Sequence, residues 1–176
     1  MLLEAKPDGR IRPLVDPCFR NDNTVASHSQ IPNQQTILRA VARGKYRSKI
    51  HLSDASFQTR VHPYNIKYNI IKIPFGGFTS QVMMQGDMNA PATFVRVMED
   101  LCHEELGKFI WIYIDHIFIL SDSFEKHIEH VEHACRKLKE QKFYANPKKN
   151  VFFAAKPDIL DYMIDDKGSH PAPETI

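Results

Sequence analysis

The chain has 176 residues, 43% hydrophobic and 25% charged, with a formal net charge of +2. That suffices for one globular domain with a core of its own, and it is too weak a charge to argue nucleic-acid binding by itself. No apolar run is long enough to span a membrane, Met1-Leu2-Leu3-Glu4 is no secretory leader, and Cys18, Cys102 and Cys135 form no CxxC pair, so an intracellular protein, cytoplasmic or nuclear, with reduced thiols is expected.

In chain order, KPDGRIRPLVD (Lys6 to Asp16) carries an Asp-Gly turn signal and an extended segment ending at Leu14-Val15, which predicts a hairpin arm. Residues 17–33 read as polar and irregular. QQTILRAVARG predicts a short helix with Ile37, Leu38 and Val41 as its apolar side and Gly44 as its stop. Arg39, Arg43, Lys45, Arg47 and Lys49 fall within eleven residues that hold no acid, a run that is either a solvated face or a phosphate-facing one. SKIHLS reads as a short strand, and FQTRV, KYNIIKI and FTSQVMM as three more. Gly76-Gly77 in PFGGF reads as a turn, because no helix pattern begins there. Asn89 is a good N-cap and Pro91 a good first-turn residue for a helix running to Gly107, with Phe94, Val97, Met98 and Leu101 on its apolar side.

FIWIYI and IFIL then predict a hairpin, interrupted by the polar pair Asp115-His116. A carboxylate set between two apolar strands is costly to keep unless something binds there. A second long helix follows Ser123, with Phe124, Ile128, Val131, Cys135 and Leu138 at spacings of 4, 3, 4 and 3 as its apolar stripe. His127, His130 and His133 share another side of that helix, flanked by Glu129 and Glu132, and read as a solvated polar face rather than a chelating set. Cys102 and Cys135 read as core. After Asn146-Pro147, VFF and DILDYMI predict closing strands. The element order implies an α+β fold, an antiparallel sheet with helices on one face, without internal repeats.

Four segments in this order, KPDGRIRPLVD, KIHLSDASFQTRV, MQGDMNAPATF and YIDHIFI, closely resemble the fingers and palm of reverse transcriptases, in particular those of Ty3/gypsy-type long-terminal-repeat retrotransposon polyproteins. The resemblance runs from about Lys6 to Ile176. It implies one reverse-transcriptase-like domain over 1–176 with a ferredoxin-like palm sheet. Residues 1–47 and about 55–90 would be partial fingers and their junction with the palm, and 48–54 and 90–176 mainly palm. Thumb, connection and RNase H segments would lie outside this chain.

The activity implied is RNA-directed DNA synthesis from deoxynucleoside triphosphates on an RNA or DNA primer–template, with two Mg²⁺ ions held by three aspartates. Only Asp115 matches those three positions. His51 stands where the first aspartate belongs, and His116 where the third does. By the same resemblance Lys6 and Arg12 would contact the triphosphate. Backbone groups of Asp54 and Ala55, with the Gln85 side chain, would line the nucleotide pocket, and Phe57 would lie beneath it. Tyr113 would sit near the primer terminus. Ser56 stands where the family keeps a Tyr or Phe whose ring excludes a ribose 2′-hydroxyl.

Imidazole presents one borderline nitrogen, cannot bridge two ions with two oxygens and carries no negative charge, so an impaired or dead polymerase is expected. The open alternatives are a non-catalytic scaffold binding nucleic acid or protein, and a decayed remnant with no selected role. At the level of single residues, Asp115 reads alternatively as a polar turn residue and His51 as a partly buried strand-end histidine. The two imidazoles with the carboxylate read alternatively as a rewired site for Fe²⁺ or Zn²⁺, for which nothing in the sequence supplies the geometry.

Overall fold

The computed structural model describes residues 2–5, 9, 11–27, 33–154, 158–159, 162–165 and 168–171. In chain order its elements are β1 (Leu2–Ala5), β2 (Ile11–Leu14), α1 (Cys18–Asp22), α2 (Gln34–Arg43), β3 (Tyr46–His51), α3 (Ala55–Gln58), a 3-10 helix (Pro63–Tyr68), β4 (Ile70–Ile73), β5 (Gly76–Thr79), α4 (Ala90–Leu101), β6 (Ile110–Tyr113), β7 (His116–Ser121), α5 (Phe124–Glu140), β8 (Asp158–Ile159), β9 (Tyr162–Asp165) and β10 (Gly168–Pro171). The chain divides into two compact units. One comprises 1–29 and 54–94, the other 30–53 and 95–176.

In the first unit β1 and β2 form the expected antiparallel hairpin, with Ala5 opposite Ile11 and Gly9 in its connection at φ +81. The segment expected to be irregular contains the short helix α1, whose start is marked by Asp16 accepting from the Cys18 amide at 3.0 Å. FQTRV is not a strand. Asp54 adopts a left-handed conformation, φ 44, and its carbonyl accepts from the Phe57 amide at 2.8 Å, which starts the helical turn α3. Alternation over five residues is too short to choose between the two outcomes. Only Ile70–Ile73 of KYNIIKI is a strand, and β5 ends at Thr79, so Met83 and Met84 are buried outside any strand. The β4–β5 turn is Pro74-Phe75, since Ile73 pairs with Gly76. Asn89 stands at the start of α4 as expected, its carbonyl accepting from the Thr93 amide at 2.9 Å, while its side chain donates to the Val25 carbonyl and accepts from the Ser27 amide, both at 2.8 Å.

The second unit is built on the antiparallel sheet β3–β7–β6. On one side α2 presents Ile37, Leu38 and Val41, as its periodicity predicts, to Phe118 and Leu120, with Trp111 and Tyr113 beside them. Gly44 stops α2 in an extended conformation, φ −68, not the left-handed one its position suggests. Its role is clearance, since a Cβ there would lie 3.1 Å from Leu120 Cβ. The basic run does not share one face. Arg47 is buried and its guanidinium donates to the Val41 and Ala42 carbonyls at the end of α2, whereas Arg39 and Arg43 line an open cleft with Lys108, Lys126 and Trp111. The VFF segment supplies a single bridge to the sheet, Lys49 to Val151, and β8, β9 and β10 form a separate three-stranded antiparallel sheet.

Helix α4 ends at Leu101 rather than Gly107. Phe94 and Met98 are buried as expected, together with Ala90, Ala92, Val95 and the following Cys102, while Val97 and Leu101 are only partly buried. On α5, Ser123 caps as expected, accepting from the Lys126 amide. The buried residues, however, are His127, Ala134 and Leu138, while Phe124, Ile128 and Cys135 are exposed. Of the histidines expected in solvent, His127 faces inward, whereas His130 and His133 stay partly exposed. His127 is fully buried, with Nε2 at 2.7 Å from Ser48 Oγ and Nδ1 at 2.8 Å from Ser121 Oγ. His130 stacks on Phe109 at 3.8 Å between ring centres. His133 meets Glu105 at 2.7 Å. A buried imidazole with both nitrogens bonded avoids the desolvation penalty that an unpaired one would suffer.

Candidate metal centre

Strand register creates the site. Pairing of β3 with β7 sets His51, the last residue of one, directly opposite His116, the first of the other. Tyr113 pairs with His116 across β6, leaving Ile114-Asp115 as the hairpin turn. Ile114 is in the left-handed region, φ 52, a genuine outlier for a β-branched residue and the kind of strain that collects at functional sites. The Leu52 amide donates to the Asp115 carbonyl at 2.9 Å, fastening the turn to the end of β3. His51 is braced from behind, its amide donating to Asn150 Oδ1 at 2.9 Å and its carbonyl accepting from the Asn146 amide at 2.8 Å.

Three side chains converge there. His116 Nδ1 lies 2.9 Å from Asp115 Oδ1, His51 Nδ1 lies 3.7 Å from Asp115 Oδ2, and His51 Nδ1 lies 3.1 Å from His116 Nε2. Burial tends to raise the Asp115 carboxyl, but the hydrogen bond and charge of His116, with His51, outweigh it and hold the group below its ordinary value. Burial pushes the His51 imidazole down, against the pull of Asp115. Asp115 is therefore a carboxylate that only accepts, with a His116 nitrogen beside one of its oxygens, and the two imidazoles share a hydrogen bond between His51 Nδ1 and His116 Nε2. His51, Asp115 and His116 are the single set of three or more ligating side chains within mutual reach among the described residues, their donor atoms all lying within 4.8 Å of one another.

This donor set does not fit a pair of Mg²⁺ ions. Mg²⁺ takes hard oxygen ligands near octahedral geometry, and here one carboxylate stands with two imidazoles.

The remaining residues expected at a nucleotide site are distributed as follows. Asp54, Ala55, Ser56 and Phe57 form the start of α3, and Gln85 lies in a turn before α4. Tyr113 ends β6. Arg12 is on β2, opposite Glu4, and Lys6 lies outside the described residues. Asn146 and Asn150, which hold His51, were not anticipated. The one cue in the sequence was the Asn146-Pro147 turn signal, which does not say what the turn packs against.

A family model described as reverse transcriptase (RNA-dependent DNA polymerase) matches residues 5–164. Among curated relatives, the Pol polyprotein of transposon opus from Drosophila melanogaster is 25% identical over 98% of this chain. That of transposon gypsy from the same organism is 20% identical over 89% of it, and the Pro-Pol polyprotein of feline foamy virus 28% identical over 93%. The chain spans only 17%, 15% and 14% of those three relatives. Among solved structures, a foamy viral protease–reverse transcriptase in complex with double-stranded DNA superposes with a TM-score of 0.87 at 23% identity, covering 98% of this chain and 30% of that one. A foamy viral protease–reverse transcriptase in complex with an RNA/DNA hybrid gives 0.85 at 23% identity over 98% of this chain and 23% of that one. The expected fold class and family resemblance hold. Among the described residues, no helix is long and apolar enough to cross a membrane.

Proposed function

The chain belongs to the reverse transcriptase (RNA-dependent DNA polymerase) family, and from that membership and its donor set we propose that it is a retrotransposon-type palm module that binds primer–template nucleic acid while its nucleotide transfer is crippled. The observation that carries this reading is the meeting of His51, Asp115 and His116 with a single carboxylate among them. Family chemistry calls for three carboxylates around two Mg²⁺ ions, and two of the three anionic side chains are replaced here by imidazoles. If each lost charge costs about 4 kcal/mol of transition-state stabilisation, the rate falls about a millionfold.

Lys6, Arg12, Asp54, Ala55, Ser56, Phe57 and Gln85 are proposed as contacts to the deoxynucleoside triphosphate and Tyr113 as the contact to the primer terminus, on resemblance to the family alone. Ser56 in place of an aromatic ring would also relax discrimination against ribonucleotides. None of these roles requires the missing carboxylates, so binding and catalysis are separable.

Two measurements on the purified chain test the reading. Filter binding to a primed RNA template should show affinity that falls steeply with salt, as phosphate contacts require. Primer extension with Mg²⁺ should give no product, and the His51→Asp/His116→Asp double variant should recover extension. A salt-independent or absent binding signal removes the nucleic-acid role. Extension by the unmodified chain at a rate comparable to the double variant removes the impairment.

A further inference from the structure

The mismatch between this donor set and Mg²⁺ has a positive counterpart. We propose that His51, His116 and Asp115 form a site for one borderline divalent transition ion of the Zn²⁺ or Co²⁺ class, in preference to Mg²⁺. Imidazole nitrogen suits Zn, Co, Ni and Fe, whereas carboxylate and water oxygens suit Mg. Two nitrogens and one oxygen are therefore the chemistry of the first group.

The geometry agrees. Ligand bonds of about 2.0–2.1 Å around a tetrahedral ion put neighbouring donor atoms about 3.3 Å apart. His51 Nδ1 lies 3.1 Å from His116 Nε2 and 3.7 Å from Asp115 Oδ2, distances that bracket that edge.

Asp115 Oδ2 would meet the ion. The proton shared between His51 Nδ1 and His116 Nε2 would pass to solvent or to the other nitrogen of its ring, and the hydrogen bond between the rings would give way to two bonds to the metal. The backbone needs no adjustment, because Asn146, Asn150 and the Leu52-to-Asp115 bond already hold the two strand ends together. Three protein ligands leave a fourth position for water, the pattern of open zinc sites.

This inference concerns the same corner of the sheet as the proposed function but requires neither nucleic acid nor catalysis. Co²⁺ is the probe, added to the metal-free 176-residue chain, with the intense visible d–d bands of four- or five-coordinate Co²⁺ as the readout. One Co²⁺ per chain is expected, displaced by Zn²⁺ and retained against about a thousandfold excess of Mg²⁺. His51→Ala and His116→Ala should each weaken binding at least about tenfold. A His130→Ala/His133→Ala variant, which removes histidines elsewhere on the surface of the second unit, should bind as the parent does.

Bands unchanged in both single variants, or Co²⁺ displaced by Mg²⁺ at equal concentration, would overturn the proposal. Because a variant can fail to fold, proton and nitrogen NMR of the unmodified chain supplies a second test. The first equivalent of Zn²⁺ should move the ring signals of His51 and His116 before those of any other histidine, and the reverse order sinks the idea. Active primer extension with Mg²⁺ alongside selective Co²⁺ binding would remove the proposed impairment and leave the metal preference standing.

Discussion

His51 Nδ1 lies 3.1 Å from His116 Nε2 although 65 positions separate the residues in the chain. One of these two nitrogens donates and the other accepts, so the rings share one proton across the sheet. Nitrogen chemical shifts of the metal-free chain should show one of the pair protonated and the other bare, and two bare nitrogens contradict the arrangement.

A second chain of protons lies in the core. The Phe153 amide donates to Ser48 Oγ at 3.1 Å, and the hydroxyls of Ser48 and Ser121 bond the two ring nitrogens of His127, Nε2 at 2.7 Å and Nδ1 at 2.8 Å. Ser121→Ala leaves a buried ring nitrogen unpaired and should cost about 1–3 kcal/mol in urea unfolding. Burial, with His130 nearby, also holds the His127 imidazole below its ordinary value. The unfolded chain then binds the proton more readily, so the stability is complete above about pH 6.5 and is lost as pH falls toward the folded-state value. Unfolding midpoints at pH 7.5 and 5.5 should differ in that sense, and by less in His127→Gln.

Glu105 is the buried anion of the second unit, with His133 Nε2 and Lys137 Nζ both 2.7 Å away. Burial tends to raise its carboxyl, yet the hydrogen bonds from Lys137 and His133 outweigh it and hold the group low. A lowered folded value means stabilisation that is present above the unfolded carboxyl range and disappears as pH drops through the folded one. Glu105→Gln should cost about 1.5–3 kcal/mol at pH 7, in the range of hydrogen bonds to charged groups. The two proteins should converge in stability under acid conditions, and a gap that persists there would assign the effect to packing instead.

Gly44→Ala tests the seat of α2 on the sheet. The added methyl would stand 3.1 Å from Leu120 Cβ, within the cluster of Ile37, Leu38, Val41 and Phe118. Because φ is −68, backbone strain contributes nothing and the whole effect is overpacking, about 1–3 kcal/mol. A variant as stable as the parent would mean that α2 can shift on the sheet.

Local patterns were legible wherever one element carried its own message. Ile37, Leu38 and Val41 declared the buried side of α2 by their spacing, the two apolar runs around Asp115-His116 declared a hairpin with a polar tip, and four short segments in order declared the family. The face of α4 was legible in Phe94 and Met98, but that of α5 was not. Helix α5 offers two stripes, and the apolar one that includes Phe124, Ile128 and Cys135 is left largely in water. The deciding factor was Ser48 and Ser121, remote in sequence, which satisfy both nitrogens of His127 and make a polar residue burial-competent.

The sequence by itself determined which atoms are available at the strand ends, one carboxylate and two imidazoles, and so the loss of two anionic ligands. Only the tertiary structure decided that these atoms meet, because cross-strand register and the brace from Asn146 and Asn150 depend on partners scores of residues away. A periodic pattern reports the side of an element that seeks burial. What covers that side, and which polar groups arrive already paired, is settled by long-range contacts that no single segment encodes.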